Sequence, residues 1–183
     1  NTLPKTAAGS AEEYEEFFEK NLEGYDCLIH YNISSLASSS YNSAFNGAKK
    51  FKGKVRVVDT HALSTGQGLL VMKACDLRAQ GKDIDEIERV TNDLRPLVNT
   101  SFVPDALDYL HKGGRCSLAA LIGAKVLKLH PEICENKEGQ LVARKKYMGN
   151  MERCLRTYVS DLKEQYPEYD HARCFITHSS AEK

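Results

Sequence analysis

The chain has 183 residues, of which 42% are hydrophobic and 27% charged, so it is long enough to bury a substantial core in one or two domains. Lys and Arg together number 25, as do Asp and Glu, so no excess positive charge favours nucleic acid or an anionic membrane. No apolar run approaches the roughly 20 residues that a membrane-spanning helix needs. We therefore expect a soluble protein that binds no nucleic acid.

Six cysteines are spread along the chain without any C-x-x-C pair, and most fall within apolar stretches. This usage favours a reducing compartment, so we predict a cytoplasmic location. The first residues show no signal-peptide pattern. The chain does not begin with Met and its last residues resemble the start of a helix, so we expect it to be a fragment.

Two strand-like segments flank a helical pattern near the start of the chain. Apolar residues predict strands at 27–33 and 55–59, and their spacing predicts a helix at 41–51. Two strands joined by a helix normally lie parallel in a right-handed crossover. Residues 26–59 therefore predict a βαβ unit, whose ligand-binding loops would follow the strands.

Similar patterns continue on both sides of this unit. Further helices are predicted at 10–23, 69–77, 83–94, 117–129 and 149–165, with a short one between Pro104 and Gly113. Further strands are predicted at 100–103 and 172–177, a loop at 60–68 and a hairpin around 136–139. We predict two α/β domains, residues 1–108 and 109–183, the first with a parallel βαβ core.

A serine-rich run, residues 33–41, joins the first strand of this unit to its helix. The first turn of a helix leaves N–H groups unpaired and carries partial positive charge, and serine hydroxyls add further donors. The run therefore suggests a site for phosphate or carboxylate. The alternative is that the serines only cap the helix.

Other motifs exclude several kinds of chemistry. No G-x-S-x-G pentapeptide supports a serine hydrolase, and no histidine pair has metal-ligand spacing, so we predict no metal. The loop 64–68 lacks the third glycine of a dinucleotide site and the lysine of a P-loop. Basic residues including Arg115 and Arg144 form either a solvated face or a docking surface for an acidic or phosphate-carrying partner.

Four segments in order resemble the DegV family of fatty-acid-binding proteins. Residues 5–10 resemble K-T-S-Q-P-S, and residues 33–44 resemble I-S-S-x-L-S-G-T-Y-x-S-A. Residues 57–68 resemble V-I-D-S followed by a G-x-G loop, and L-D-Y-L-H-K-G-G-R at 107–115 resembles L-x-Y-L-x-K-G-G-R. The family's Thr-Asp-Ser motif and its His-Gly-Pro-Gly motif are both absent, which is consistent with a fragment lacking both ends.

The resemblance implies a carrier that is not itself a catalyst and needs no cofactor. The hydroxyls of Thr6 and of Ser34 or Ser35 would hold the carboxylate of a long-chain fatty acid, with the acyl chain in an apolar tunnel between the domains. A separate kinase subunit supplying ATP and magnesium would make the acyl phosphate, and we predict that Arg115 and Arg144 dock it. The alternatives are an enzyme for a small phosphorylated or hydroxylated substrate at the same loop, or a structural interaction module.

Overall fold

The computed structural model of the protein describes residues 5–115 and 129–179. The helices are α1 (Ala11–Leu22), α2 (Ser40–Ala48), α3 (Ser64–Ala79), α4 (Ile84–Leu94), α5 (Asp108–Lys112) and α6 (Met151–Gln165). The strands are β1 (Leu28–Asn32), β2 (Val55–Asp59), β3 (Ser101–Phe102), β4 (Leu129–Glu135) and β5 (Leu141–Met148). Three-residue 3-10 turns follow α2 and α4.

The predicted βαβ unit is confirmed. Strands β1 and β2 pair in parallel, with Leu28 opposite Val55 and Asn32 opposite Asp59, and α2 connects them. Side chains alternate across the two strands, so each strand contributes to a separate apolar cluster on each face. One face packs against α3 and α4, and the other against α1 and α2.

Local sequence signals explain the first helix. The Ser10 side chain accepts a hydrogen bond from the N–H of Glu13 at 3.2 Å, and the Glu13 carboxylate accepts one from the N–H of Ser10 at 2.7 Å. This reciprocal pair is the predicted capping box. Helix α1 then lies against α2 at Gly47, where a Cβ atom would come within 2.6 Å of the Ala11 carbonyl oxygen.

A second sheet has the order β3-β4-β5 with antiparallel pairing, and the predicted hairpin joins β4 to β5. Helix α6, predicted at 149–165, packs on this sheet, where the Tyr158 hydroxyl donates to the Ser101 carbonyl at 2.9 Å. Strand β3 lies before the predicted domain boundary at 108/109 and pairs with β4 after it. That boundary stays a prediction.

Two sequence predictions are wrong. Residues 64–68 belong to helix α3 rather than to a loop, because the Gly66 and Gln67 N–H groups already bond to the Leu63 carbonyl. Residues 172–177 form no strand, since no strand in the described part of the chain pairs with them, and Ile176 is 91% exposed. The helix predicted at 117–129 lies outside the described residues except for Leu129, which begins β4.

Within residues 5–115 and 129–179, no helix combines the length and the apolar character that crossing a bilayer requires. The same residues contain no group of three or more His, Cys, Asp or Glu side chains placed to hold a metal ion. That the protein needs no metal or cofactor stays a prediction.

Candidate functional site

The parallel pairing of β1 and β2 brings the loops after both strands to one edge of the sheet. The Ser34 N–H donates to the Ala62 carbonyl at 3.1 Å, and the Thr60 hydroxyl donates to the Asn32 carbonyl at 2.7 Å. The serine loop, residues 33–39, is therefore bonded directly to the β2–α3 loop, residues 60–63. Two loops at the carboxyl ends of adjacent parallel strands are a typical ligand-binding position.

Ser34 is fully buried, and its hydroxyl is already occupied by protein contacts. Its Oγ donates to the Gly139 carbonyl at 2.7 Å and accepts from the Leu36 N–H at 3.2 Å. Gly139 lies in the β4–β5 turn, 105 residues further along the chain. The Ser34 hydroxyl thus joins this turn to the serine loop.

Ser35 is held differently, through its backbone. Its N–H points at the Asp59 carboxylate, 3.2 Å from Oδ1 and 3.3 Å from Oδ2. The same carboxylate accepts the N–H of His61 at 3.1 Å, and its side chain is only 11% exposed. The Ser35 hydroxyl forms no hydrogen bond with any residue that the structure describes.

The other serines of the run lie at the start of α2. The Ser38 hydroxyl accepts the Ser40 N–H at 3.2 Å, whereas the N-cap residue Ser39 makes no side-chain cap bond. The first turn of α2 contains no acidic residue that would neutralise its partial positive charge. The helix start therefore combines a partial cap with a surface that favours an anion.

His61 connects the β2–α3 loop to the β4–β5 turn. Its Nδ1 lies 3.0 Å from the Lys137 carbonyl oxygen, and its Nε2 lies 3.7 Å from Asp59 Oδ2. Its backbone has a positive φ of 50°, which is uncommon for a residue other than glycine. The loop conformation is therefore maintained by tertiary contacts on both sides of the ring.

The other predicted site residues lie in different surroundings. Thr6 is exposed ahead of α1, and no hydrogen bond within the described segments joins it to Ser34 or Ser35. Arg115 reaches the serine loop, because its Nε donates to the Ala37 carbonyl at 3.4 Å. Arg144 lies in β5, where it pairs with the buried Glu132 carboxylate and donates to the Tyr166 hydroxyl at 2.9 Å.

Sequence reasoning did not identify Asp59, His61 or Gly139 as site residues. The sequence could have indicated Asp59, since a carboxylate at the end of a predicted parallel strand lies where ligands typically bind. No signal in the sequence indicated the contacts of Gly139, because no local pattern shows which loop a hairpin turn will touch.

The structure contains two cavities away from these loops. One is lined by Glu132, Arg144 and their neighbours on β5 and α6, and the other is lined mainly by residues in and just after α1, with Phe51 and Lys54. Neither includes the serine loop, and the predicted tunnel stays a prediction.

Glu135, at the end of β4, carries a buried carboxyl group close to the start of α3. Its nearest polar neighbours are the Leu63 N–H and the Thr100 hydroxyl, but neither forms a well-aligned hydrogen bond with it. Burial raises the pKa of Glu135 from 4.5 to about 7, and these two neighbours oppose the rise only in part. The carboxyl group is therefore protonated in the folded protein under mildly acidic conditions.

We expect this carboxyl group to make the protein less stable as the pH rises from 4.5 to about 7. The unfolded chain releases the proton above its ordinary pKa while the folded chain still binds it, so the free energy of unfolding falls across this window. Glu135→Gln should remove this contribution to the pH dependence of the free energy of unfolding. It should also raise stability at pH 8 by about 1–2 kcal/mol after allowance for solvent screening. Urea unfolding at pH 5 and pH 8 measures both effects.

The matched control for Glu135→Gln is Glu138→Gln, at an exposed position in the adjacent turn. It should leave the difference in unfolding free energy between pH 5 and pH 8 as in the unmodified protein. A Glu135→Gln variant with an unaltered pH dependence would contradict the assignment.

Comparison with known proteins decides the family. The sequence profile described as "Uncharacterised protein, DegV family" matches residues 1–183. The chain belongs to the DegV family. A DegV domain-containing protein of Caldanaerobacter subterraneus is 28% identical over 182 residues, which cover 99% of this chain and 64% of that protein. One of Clostridium acetobutylicum is 33% identical over 172 residues, covering 90% of this chain and 59% of that protein.

Solved DegV structures share the mixed α/β fold, as predicted from the sequence. A DegV family protein of Thermus thermophilus, described by its fatty acid binding, has a TM-score of 0.75 at 28% identity, covering 87% of this chain and 57% of that one. A DegV lipid-binding protein of Thermotoga maritima has a TM-score of 0.78 at 26% identity, covering 92% and 58%. This DegV chain thus spans less than two thirds of the length of these relatives.

Proposed function

We propose that this DegV chain binds a long-chain fatty acid, with the carboxylate at the serine loop and Ser35 as its main hydroxyl contact. The observation that carries the proposal is the contrast between two adjacent serines. The Ser34 hydroxyl is occupied by Gly139 and Leu36, whereas the Ser35 hydroxyl has no partner among residues 5–115 and 129–179. The fatty acid and lipid binding of the Thermus and Thermotoga relatives supports the choice of ligand.

Simple energetics assign separate roles to the two ends of the ligand. Burying a chain of about 14 methylenes gains roughly 11 kcal/mol before ordering costs, at about 0.8 kcal/mol for each CH₂. A hydrogen bond to a charged carboxylate adds only about 1.5–3 kcal/mol. The acyl chain therefore supplies most of the affinity, and the serine loop orients the carboxylate.

The same proposal includes a role in the cytoplasm as a carrier rather than a catalyst. A hydroxyl contact leaves the carboxylate oxygens reactive, which suits a ligand that attacks a nucleotide phosphate held by a separate kinase. Arg115 supports docking next to the ligand, because it is exposed and contacts the serine loop at Ala37. Thr6 and Arg144 remain predicted contributors to the head-group site and to docking.

The test compares Ser35→Ala with the unmodified protein at the full length in which it is expressed. We expect Ser35→Ala to weaken palmitate binding about 10- to 100-fold, because it removes a hydrogen bond to a charged group. Binding of hexadecanol, which has no carboxylate, should change much less. Ser160→Ala is the matched control, since Ser160 is exposed on α6, outside the serine loop, and its side chain forms no hydrogen bond with the described residues.

Organic extraction and mass spectrometry of the purified protein provide the second measurement, and we expect a bound fatty acid. An extract without fatty acid, together with no uptake of added palmitate, would contradict lipid binding. In that case the remaining hypotheses are an enzyme that holds a small phosphorylated or hydroxylated substrate at the same loop, and a structural interaction module. Equal losses of palmitate and hexadecanol binding in Ser35→Ala would contradict only the role of Ser35.

A further inference from the structure

The turn between β4 and β5, residues 136–140, lies on the loops that carry the proposed head-group site. The Gly139 carbonyl accepts the Ser34 hydroxyl at 2.7 Å, and the Lys137 carbonyl lies 3.0 Å from His61 Nδ1. One turn therefore contacts both the serine loop and the β2–α3 loop. The two contacts join residues that are 105 and 76 positions apart in the chain.

The turn is ordered by its own hydrogen bonds. The Asn136 side chain accepts the N–H groups of Glu138 at 3.2 Å and of Gln140 at 2.8 Å. The Gly139 N–H donates to the Asn136 carbonyl at 2.9 Å. These bonds lie within the turn, and they stabilise it together with the contacts to the two loops.

Gly139 makes the closest approach between the turn and the two loops. A Cβ atom at this position would lie 2.4 Å from Ser34 Oγ and 3.0 Å from both Cα and Cβ of His61. Its φ of 86° is also in the region that favours glycine. A larger residue must therefore displace the Ser34 hydroxyl or move the turn away from the loops, and either change disturbs the contact between them.

The contact with the turn reaches Ser35 through its neighbours in the chain. Ser34 Oγ donates to the turn and accepts the Leu36 N–H, so the hydroxyl fixes the residues on both sides of Ser35. On the side of the sheet, the Asp59 carboxylate accepts hydrogen bonds from the N–H groups of both Ser35 and His61. The backbone that carries the Ser35 hydroxyl is thus constrained from the sheet and from the turn.

We propose that the β4–β5 turn is a latch that positions Ser35 for its ligand, with Ser34 and His61 as the latch contacts and Gly139 as the residue that allows closure. Ser34 is then a positioning residue and does not contact the ligand. The effect on lipid binding rests on the proposed function. The ordering of the serine loop by the turn does not.

The first test compares Gly139→Ala with Gly53→Ala in the full-length protein. Gly53 has nearly the same φ, 87°, but a Cβ atom there would meet nothing within 4 Å. Both variants therefore introduce the same backbone strain, but only Gly139→Ala disturbs the contact between the β4–β5 turn and the two loops. We expect hydrogen exchange in residues 33–41 to rise about fivefold or more in Gly139→Ala, as for the loss of one hydrogen bond, and to stay unchanged in Gly53→Ala.

A second variant keeps the test decisive if Gly139→Ala does not fold. Ser34→Ala removes the latch hydrogen bond without adding atoms, and we expect faster exchange of the Gly139 and Gln140 N–H groups. Those groups bond to Asn136 and not to Ser34, so their exchange reports separation of the turn. Ser39→Ala should leave them unchanged. Unaltered exchange in the turn and in the serine loop would overturn the latch.

Palmitate binding separates a latch role for Ser34 from a ligand role. If Ser34 acts through the latch, Ser34→Ala weakens palmitate binding in the unmodified protein and has little further effect in the Gly139→Ala background. A full additional loss in that background would overturn the positioning role. If neither the unmodified protein nor any variant binds palmitate, but exchange in residues 33–41 still rises in Gly139→Ala, the latch stands and the proposed function fails.

Discussion

Replacing Arg144 with alanine is expected to lower the free energy of unfolding by about 3–5 kcal/mol, because the change leaves a buried carboxylate without its cation. Glu132 is only 2% exposed, and its carboxylate is paired with the Arg144 guanidinium. Burial alone would lower the pKa of Arg144, but the bonds to Glu132 and Tyr166 give a net rise. Arg144 therefore stays charged in the folded protein.

Neighbouring polar groups do not replace this cation. The Tyr147 hydroxyl lies 3.5 Å from Glu132 and makes its shorter bond, 2.8 Å, to Asp161. Lys145 is paired with Asp161 at 2.5 Å. Arg144 is thus the main partner of the Glu132 carboxylate, which explains the large expected effect.

Urea unfolding of Arg144→Ala against Arg156→Ala measures the effect. Arg156 pairs with Glu152 on the exposed side of α6 with its side chain 78% exposed, so its loss should change stability by less than about 0.5 kcal/mol. Adding Glu132→Gln to Arg144→Ala should restore part of the stability, because it removes the uncompensated charge. An Arg144→Ala variant as stable as Arg156→Ala would contradict the structural role.

This result bears on the docking hypothesis. A charge-reversal variant at Arg144 would place a second carboxylate beside Glu132 and destabilise the sheet. A loss of acyl phosphate formation in this variant would therefore not distinguish failed docking of the kinase from a destabilised fold. Arg115 is the cleaner position, because its guanidinium bonds to backbone carbonyls of Ala37 and Gly113 and to no carboxylate in the described residues. Docking is therefore best tested with Arg115→Glu, with retained palmitate binding as the control.

Replacing Phe18 with alanine is expected to destabilise the protein by a similar amount, about 3–5 kcal/mol. Its side chain is fully buried and packs with Ala44, Ala48 and Val55 between α1, α2 and the parallel strands. Its ring also meets Phe51 edge-on at 6.2 Å between centroids. Removing the ring leaves a cavity in the cluster that supports this face of the strands carrying the site.

The neighbouring Phe17→Ala is the matched control, since Phe17 is 49% exposed and should lose about 1 kcal/mol or less. His30 supplies an independent readout, because its ring lies 5.3 Å from that of Phe18 and burial lowers its pKa. In Phe18→Ala, an NMR titration should show the pKa of His30 moving back toward 6.5, its ordinary value. Equal stability of the two variants would contradict this packing account.

For the candidate site, sequence patterns predicted the location but not the contacts. The strand, serine run and helix indicated an anion site, and the structure places Ser34 and Ser35 at the strand end beside the β2–α3 loop. The choice between Ser34 and Ser35 stayed open in the sequence because both have the same side chain. They differ because the Gly139 carbonyl accepts the Ser34 hydroxyl, whereas the Ser35 hydroxyl forms no hydrogen bond within the part of the chain that the structure describes.

Periodicity and turn residues by themselves determined the capping box of α1, the parallel βαβ unit, the β4–β5 hairpin and helix α6, and ordered motifs determined the DegV family. These features depend on neighbours within a few residues or on a single connection, so local patterns specify them. Only the tertiary structure decided that Asp59 holds Ser35, that Arg144 neutralises Glu132, and that the turn at Gly139 closes on Ser34. Such contacts join distant segments whose approach is determined by the packing of whole elements.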